Sequence, residues 1–385
     1  MRAGRPARRK SAAATLGAGL VLCALGTVGS PRGLAGSRNG PAPPLPSEQV
    51  RAHPSLDLTS ALDAGWQEAV LSVRDAPAVL RFLTEVAGWQ LRFEGPLSGA
   101  ALDFYSGKPG AWPAAAGRRE WLVTDGEGKP GFVRLVAFAR PDAVRIRSGA
   151  MPWDTGGVLS LMTRSNATAK VYRAAQDLGW SSFNDPTLLD MRDSGVQLTN
   201  VVLTGPDGVA VSVYERLTPR MPDAPDLQRL RRPFNAMQSV RNLAAARHFY
   251  AEVLGFEVVN EGQFTNPRRE SNNFGLPANL VAAAPMPFAI LGPRRSGPTQ
   301  VELVQFADVE GRDLADRAVA PNLGVLALRF PVSSLAEIES RLRKAEWPIA
   351  AGPAMLDVRP YGRVRLLAVR APDGTWLEFF ERMSP

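Results

Sequence analysis

Two segments with the alternation of β-strands each place a glutamate between apolar residues. Glu302 lies in QVELVQF, and Glu378 lies in TWLEFFE. A carboxylate held among apolar side chains is suited to removing a proton next to a carbonyl or to binding a metal ion. A glutamate on the solvent side of a strand has no such role. If the two carboxylates face each other, their repulsion raises the pKa of one of them and provides a general base.

Imidazole and thiol groups, the other common catalytic groups, are scarce in this chain. It has two histidines, His53 and His248, and one cysteine, Cys23. His248 falls on a predicted helix, where it is expected on the outer side of the sheet. A Ser-His-Asp arrangement therefore has little support, and a mature form cut after Cys23 would lack a thiol nucleophile. The glycine-rich GEGKPG at 126–131 predicts a hairpin loop, because Pro130 stands where a nucleotide-binding helix would begin.

The segment that best predicts how these residues are positioned is NLAAARHFYAEVLGFEVVN, from Asn242 to Asn260. Its apolar residues follow the spacing of one helical face. Asn242 stands at an N-cap position, and Gly255 stands at a left-handed C-terminal stop. Strand-like segments precede and follow it, so the segment predicts a strand–helix–strand unit.

The same unit occurs four times along the chain. The copy VLSVRDAPAVLRFLTEVAGWQLRF at 70–93 repeats the spacing of the 242–260 helix, and two looser copies share the frame VL-small-L. A proline-aspartate-glycine turn followed by an alternating strand closes the second and fourth copies. The repeat predicts an α+β fold of four βαβββ modules, paired as modules 1 and 2 (first domain, 64–218) and modules 3 and 4 (second domain, 231–384), with a linker at 219–230. The predicted module ranges are 64–140, 152–218, 231–307 and 321–384.

The positive charge of the chain is concentrated at its N-terminus. The formal net charge is +8, but seven basic residues precede the first acidic residue, Glu48, so the rest of the chain is nearly neutral. A nucleic-acid-binding groove is therefore not expected. The same region has a basic start, an apolar run and a small-residue stretch, which predict an export signal at 1–35, followed by a proline-rich spacer at 36–63.

These features predict a periplasmic or extracellular protein whose mature domains do not insert into a membrane. The apolar run is rich in glycine, which disfavours a stable membrane anchor. An alternative is a membrane tether through a lipid attached to Cys23, although Leu22 before it is larger than such sites prefer.

The four modules resemble the vicinal oxygen chelate superfamily, which includes glyoxalase I, extradiol dioxygenases and bleomycin-resistance proteins. The resemblance rests on the pattern of strand, Asp or Asn, helix and LGF-like exit, closed by PDG and a final strand. It implies curved mixed sheets around a cleft. It also implies a divalent metal held by one side chain near the start of each first strand and one on each last strand, so that two substrate oxygens can chelate the metal.

In the first predicted domain the implied ligand positions do not suit a cation. Arginine cannot release a proton to bind a metal ion. Glu68 and Arg134 are instead expected to form an ion pair inside the cleft or to bind a carboxylate ligand. The four positions are Glu68, Arg134, Val158 and Ser212.

In the second predicted domain the positions fall on Asn235, Glu302, Val325 and Glu378. Asn235, Glu302 and Glu378 offer three oxygen donors, which leaves open a site for Mg, Mn, Zn or Ni in this domain only. Glu302 and Glu378 are the candidate catalytic residues. The sequence thus predicts an exported protein that binds a small organic molecule in the second domain. A metal-dependent lyase or isomerase of the glyoxalase type (less so a dioxygenase) and a non-catalytic interaction module remain as alternatives, so whether the chain is an enzyme stays open.

Overall fold

The computed structural model describes residues 62, 64–112, 117–191, 195–221, 227–264, 272–281, 284–294 and 297–383. The predicted export signal, with Cys23, and nearly all of the proline-rich spacer, with His53, lie outside these residues. None of the helices in the described part of the chain is long and apolar enough to span a membrane.

The described chain forms four modules, each with a first strand, a helix and further strands. Module 1 contains β1 (Glu68–Ser72), α1 (Ala76–Arg81, continued by a π-helical turn at Phe82–Val86), β2 (Gln90–Pro96), α2 (Gly99–Ser106), β3 (Arg119–Thr124) and β4 (Phe132–Ala137). Module 2 contains β5 (Val158–Arg164), α3 (Thr168–Asp177), β6 (Ser181–Ser182), β7 (Thr187–Met191), β8 (Val196–Thr204) and β9 (Ala210–Thr218).

The second half of the chain repeats this order. Module 3 contains β10 (Asn235–Ser239), α4 (Leu243–His248, continued by a π-helical turn at Phe249–Val253), β11 (Glu257–Phe264), α5 (Ala278–Val281), β12 (Met286–Gly292) and β13 (Gln300–Val304). Module 4 contains β14 (Gly324–Val332), α6 (Leu335–Lys344), β15 (Ile349–Val358), β16 (Gly362–Arg370) and β17 (Trp376–Arg382). The predicted α+β class and the four-module repeat are confirmed.

The module helices begin and end where local chemistry requires. The side chains of Asp75 and Asn242 accept hydrogen bonds from the backbone N–H groups three residues on, both at 3.0 Å. These bonds satisfy donors that have no partner inside the helix. Gly88 and Gly255 follow α1 and α4 with φ of 76° and 80°, a conformation that costs glycine little and ends the helix.

The strands form two sheets, and their order differs from the predicted pairing of modules. The first sheet has the order β15-β16-β17-β14-β1-β4-β3-β2, and the second has β11-β12-β13-β10-β5-β9-β8-β6, with β7 also paired to β8. The first strands of modules 1 and 4 pair antiparallel, as do those of modules 2 and 3. The prediction that modules 1 and 2 share one sheet and modules 3 and 4 share the other is therefore wrong. The exact domain bounds stay a prediction.

The helices follow the pairing that the sequence predicted. Phe82 of module 1 stacks on Trp180 of module 2 with ring centroids 3.9 Å apart, and Phe249 of module 3 packs on Trp347 of module 4 at 4.6 Å. The largest core combines these helices with one face of both sheets. We call the opposite face of each sheet its cleft face. Smaller apolar clusters cover each of these faces.

Candidate functional site

Each module places one residue on the cleft face seven positions before the N-cap of its helix. In modules 1 and 3 this residue is Glu68 or Asn235, as predicted from Asp75 and Asn242. The same count from the N-caps of α3 and α6, Ala167 and Ser334, gives Ser160 and Ala327. The last strand of each module also places one residue on the cleft face. Each of these residues pairs with the residue of the first strand that lies two positions after the one just named. The four last-strand residues are Arg134, Ser212, Glu302 and Glu378.

The predicted positions in modules 2 and 4, Val158 and Val325, are wrong. The register shifts within the first strands, so that Leu159 and Leu326 are extra residues. A bulge of this kind reverses the side-chain direction beyond it. Val158 and Val325 therefore lie in the core between sheets and helices. The residues that take their places are Ser160, whose Oγ lies 2.9 Å from Ser212 Oγ, and Ala327.

The cleft face of the first sheet contains a buried ion network. Arg134 donates to both oxygens of Glu68, at 2.7 and 3.0 Å, and to Glu120 at 2.8 Å. Arg329 donates to Glu68 and, at 2.6 Å, to Glu378. Burial alone would raise the pKa of Glu68, but the charges of Arg134 and Arg329 outweigh it and hold the pKa below its ordinary value.

This network closes the first cleft to ligands. Arg134 and Glu68 have side-chain exposures of 1% and 0%. Two tyrosines complete the cluster: Tyr361 donates to Glu68 at 3.0 Å, and Tyr105, on α2, accepts from Arg329 at 3.1 Å. The predicted ion pair between Glu68 and Arg134 is confirmed, whereas the alternative role of these two residues in binding a carboxylate ligand finds no free surface here.

Arg329 is the central residue of this network that was not predicted from the sequence, and Glu120, Tyr105 and Tyr361 were not predicted either. It lies on β14 two residues after Ala327, on the same face, and pairs with Glu378 on β17. Its guanidinium bridges the carboxylates of Glu68 and Glu378 and supplies the positive charge between them. Alternation within the segment ALRF places its side chain on the cleft face, but nothing in the sequence indicates that modules 1 and 4 share that cleft.

The cleft face of the second sheet brings together Asn235 and Glu302, as predicted, but not Glu378. Asn235 Nδ2 donates to Glu302 Oε2 at 3.3 Å. Glu378 is bonded to Arg329 in the first sheet, so the proposed set of Asn235, Glu302 and Glu378 is not one site, and the two glutamates do not face each other. The second cleft instead adds Ser160 and Ser212 from module 2.

Glu302 is 2% exposed and lies in apolar surroundings. Burial raises its pKa to about 7, opposed only by the hydrogen bond from Asn235. Tyr214 lies close to it: burial and then the charge of Glu302 raise the pKa of the phenol well above its ordinary value. Near neutral pH the carboxyl group can thus either donate or accept a proton.

Two cavities, of about 50 and 40 Å³, lie on either side of Glu302 and Tyr214. Both are lined mainly by apolar and aromatic side chains, and each is large enough for several waters or part of a small organic molecule. The first is lined by Met162, Arg164, Leu198, Arg216, Met221, Phe234 and Asn235. The second is lined by Leu189, Met237, Phe264, Asn273, Phe274, Met286, Phe288 and Val304.

The donor set of this cleft does not fit a resident divalent metal. Its four positions carry one carboxylate, one amide and two serine hydroxyls, and the hydroxyls bond to each other. Zn and Ni favour imidazole or thiolate ligands, and a single carboxylate of raised pKa is a weak anchor for Mg or Mn. Across the described residues, no group of three or more His, Cys, Asp and Glu side chains is placed to hold a metal ion. His248 is exposed on its helix, as predicted.

Comparison with known proteins agrees with this fold. Residues 234–379 match the family model of the Glyoxalase/Bleomycin resistance protein/Dioxygenase superfamily. The match covers nearly all of modules 3 and 4, and it is to the superfamily that the four modules resemble. Glyoxalase I from Zea mays is similar in structure over 83% of this chain and 92% of its own, with a TM-score of 0.53 and 14% identity. A Bacillus subtilis protein described as a dioxygenase is similar over 84% and 87%, with a TM-score of 0.50 and 12% identity.

These structural similarities establish the vicinal oxygen chelate fold alone, because the sequence identities are low. No curated protein matches the chain by sequence. Activity therefore has to be argued from the cleft itself. Within the superfamily fold, this chain has one cleft filled by an ion network and one cleft with cavities around a buried carboxyl group.

Proposed function

We propose that this chain is an exported protein that binds a small organic molecule in the cleft of the second sheet, between modules 2 and 3. The ligand contacts Glu302, Asn235 and Tyr214 and fills the two cavities beside them. The sequence assigned the site to modules 3 and 4, so the proposal keeps Glu302 and Asn235 and replaces module 4 with module 2.

The observation that carries the proposal is the contrast between the two clefts. Glu68 and Glu378 are neutralised by arginines and covered, whereas Glu302 is buried beside cavities with only an amide bonded to it. A carboxyl group in apolar surroundings lowers the stability of the folded protein. Its presence there is therefore more readily explained by a functional role. Apolar walls with a few convergent polar groups are typical of small-molecule sites.

A ligand screen with matched variants tests this proposal. We expect members of a library of small aromatic and aliphatic acids, amides and ketones to raise the melting temperature of the wild type. Glu302→Gln should weaken their binding at least about tenfold, because a hydrogen bond to a charged group contributes roughly 1.5–3 kcal/mol. Glu261→Gln, the same change on exposed β11, is the control. Ligands that bind Glu302→Gln as tightly as they bind Glu261→Gln would overturn the assignment of the site.

Metal analysis of the same preparations tests the donor-set argument separately. We expect substoichiometric divalent metal in the wild type and no change in Glu302→Gln. Stoichiometric metal that is lost in this variant would overturn the metal-free site and favour the glyoxalase-type alternative. A stable protein partner without any small-molecule binding would favour an interaction module.

A second candidate function is proton transfer by Glu302, which its pKa of about 7 favours. A general base or acid works best when its pKa is near the working pH. Incubation with ketones in D₂O should then exchange the proton next to the carbonyl, with a rate that rises as the pH passes through about 7. Glu302→Gln should lower this rate about 10² to 10⁴-fold. Equal exchange in both proteins would exclude this role.

Export is a separate part of the proposal and rests on residues 1–35. Fusion of these residues to a reporter that is active only outside the cytoplasm should give activity. Replacement of Arg8, Arg9 and Lys10 by Gln should reduce it, because the basic start orients the signal. Activity that is independent of residues 1–35 would contradict export through this segment.

A further inference from the structure

Arg216 lines the first cavity and forms no ion pair with the described residues. It follows Tyr214 by two residues on β9, about 7 Å along the strand, and its side chain lines the cavity that ends at Glu302 and Asn235. Its Nε is buried and has no hydrogen-bond partner, and no carboxylate of the described residues forms an ion pair with it. A buried donor that goes unused is costly, which marks it as a group that awaits a ligand.

Two fully buried guanidiniums of the described chain are, by contrast, paired with carboxylates. Arg134 and Arg329 are each bonded to two carboxylates. Arg164, which also lines the first cavity, lies over the ring of Phe234 at 4.3 Å. Among the described residues, Arg216 thus supplies a positive charge without a carboxylate partner to a cavity whose walls include Met162, Leu198 and Met221.

The polar groups at the two ends of this cavity are distinct. At the inner end, Asn235 donates a hydrogen bond to Glu302. The pKa of Glu302 is set mainly by burial and not by a nearby cation. Ser212 is level with Asn235 through their shared neighbour Met162, and Arg216 follows Ser212 by four residues on β9. Arg216 therefore stands at the other end of the cavity, about 13 Å along the strand. A ligand that satisfies both ends has an anionic group, an apolar middle and a hydrogen-bonding group.

We propose that the ligand of the second cleft is an organic anion, with a carboxylate or similar group on Arg216 and an apolar body that reaches Glu302 and Tyr214. This inference rests on the proposed function and narrows it to a ligand class. Guanidinium suits this role because it binds a carboxylate through two parallel hydrogen bonds.

A paired panel of probes tests this inference. Aryl- and alkyl-carboxylates are compared with their primary amides, which have the same shape but no charge, by calorimetric titration at pH 6. We expect the carboxylates to bind the wild type at least about tenfold more tightly than the amides, since a charge-assisted hydrogen bond is worth roughly 1.5–3 kcal/mol. Arg216→Gln should remove this preference, and Arg216→Lys should restore part of it.

The control is Arg173→Gln, which removes an exposed arginine from α3 of the same module. Thermal unfolding of Arg216→Gln should match the wild type, because the change leaves no buried carboxylate without its partner. Amides that bind as tightly as carboxylates, or a preference that survives in Arg216→Gln, would overturn the anion class and leave the binding site standing. If neither series binds the wild type, both the anion class and the proposed function fail.

Discussion

Glu302 shows how the surroundings of a single side chain decide its chemistry. Its strand sequence, QVELVQF, resembles that of Glu378 in TWLEFFE, and both residues are buried. Arg329 bonds to Glu378 at 2.6 Å, whereas Glu302 has an amide at 3.3 Å. Burial without a cation favours the protonated form, so Glu302 titrates near neutral pH.

The raised pKa of Glu302 predicts a pH-dependent stability. Its ordinary pKa is 4.5 and the folded value is about 7, so between these values the folded protein binds more protons than the unfolded chain. The contribution of Glu302 to the free energy of unfolding is therefore fully present below pH 4.5. It falls by about 3 kcal/mol as the pH rises through 7. We expect Glu302→Gln to be more stable than the wild type at pH 8 and nearly equal at pH 5.

Urea denaturation of both proteins at these two pH values measures the effect. Asp373, whose pKa burial raises to about 6, also titrates in this range, but it contributes equally to both proteins and cancels in their difference. A difference in stability that is the same at pH 5 and pH 8 would show that Glu302 does not have a raised pKa.

Buried ion pairs connect the four central strands of the first sheet. Glu68 on β1, Arg134 on β4, Arg329 on β14 and Glu378 on β17 form a chain of ion pairs across four strands. Transfer of these charges from water into the protein costs free energy, and each charge offsets this cost only while its partners are present. It fixes how modules 1 and 4 align at the centre of the sheet.

Removal of one cation from this network should be far more damaging than removal of a matched pair. Arg329→Gln leaves the carboxylates of Glu68 and Glu378 underneutralised and should cost about 3–5 kcal/mol of unfolding free energy. The double variant Arg329→Gln/Glu378→Gln should recover part of this loss. Chemical denaturation gives both values. Arg341→Gln, which breaks an exposed pair with Glu337, should cost below about 1 kcal/mol. An equally small loss for Arg329→Gln would contradict the role of the network.

In the complete fold, the sheets and the helices join different pairs of modules. Sheets join modules 1 with 4 and 2 with 3, while helix contacts join 1 with 2 and 3 with 4. Every module therefore has an extensive interface with two others. The chain is a closed ring of four modules, and a cut between modules 2 and 3 leaves both sheets incomplete.

This arrangement predicts that the halves are not independent. Residues 64–218 expressed alone lack the partner strands of β1 and β5 and should aggregate or remain unfolded. Coexpression with residues 219–385 should give a stable one-to-one complex, seen by size-exclusion chromatography and circular dichroism. A monomeric, cooperatively folded 64–218 fragment would contradict the shared sheets.

The four modules could be predicted from the sequence alone, because the signals that mark them are local. Side-chain periodicity, the caps at Asp75 and Asn242 and the stops at Gly88 and Gly255 act within one turn of a helix or one strand. Counting seven residues back from a cap also located Asn235 and Glu68. The bulges at Leu159 and Leu326 escaped prediction, because a bulge depends on the opposing strand.

Which modules meet, and what each cleft contains, depends on contacts between residues far apart in the sequence. The first strands of all four modules are buried on both faces, so their sequences are similar and do not encode which neighbour pairs with which. The arginine that neutralises Glu378 and the space that surrounds Glu302 follow from that pairing. Long-range strand pairing therefore separated one closed cleft from one cleft suited to a ligand.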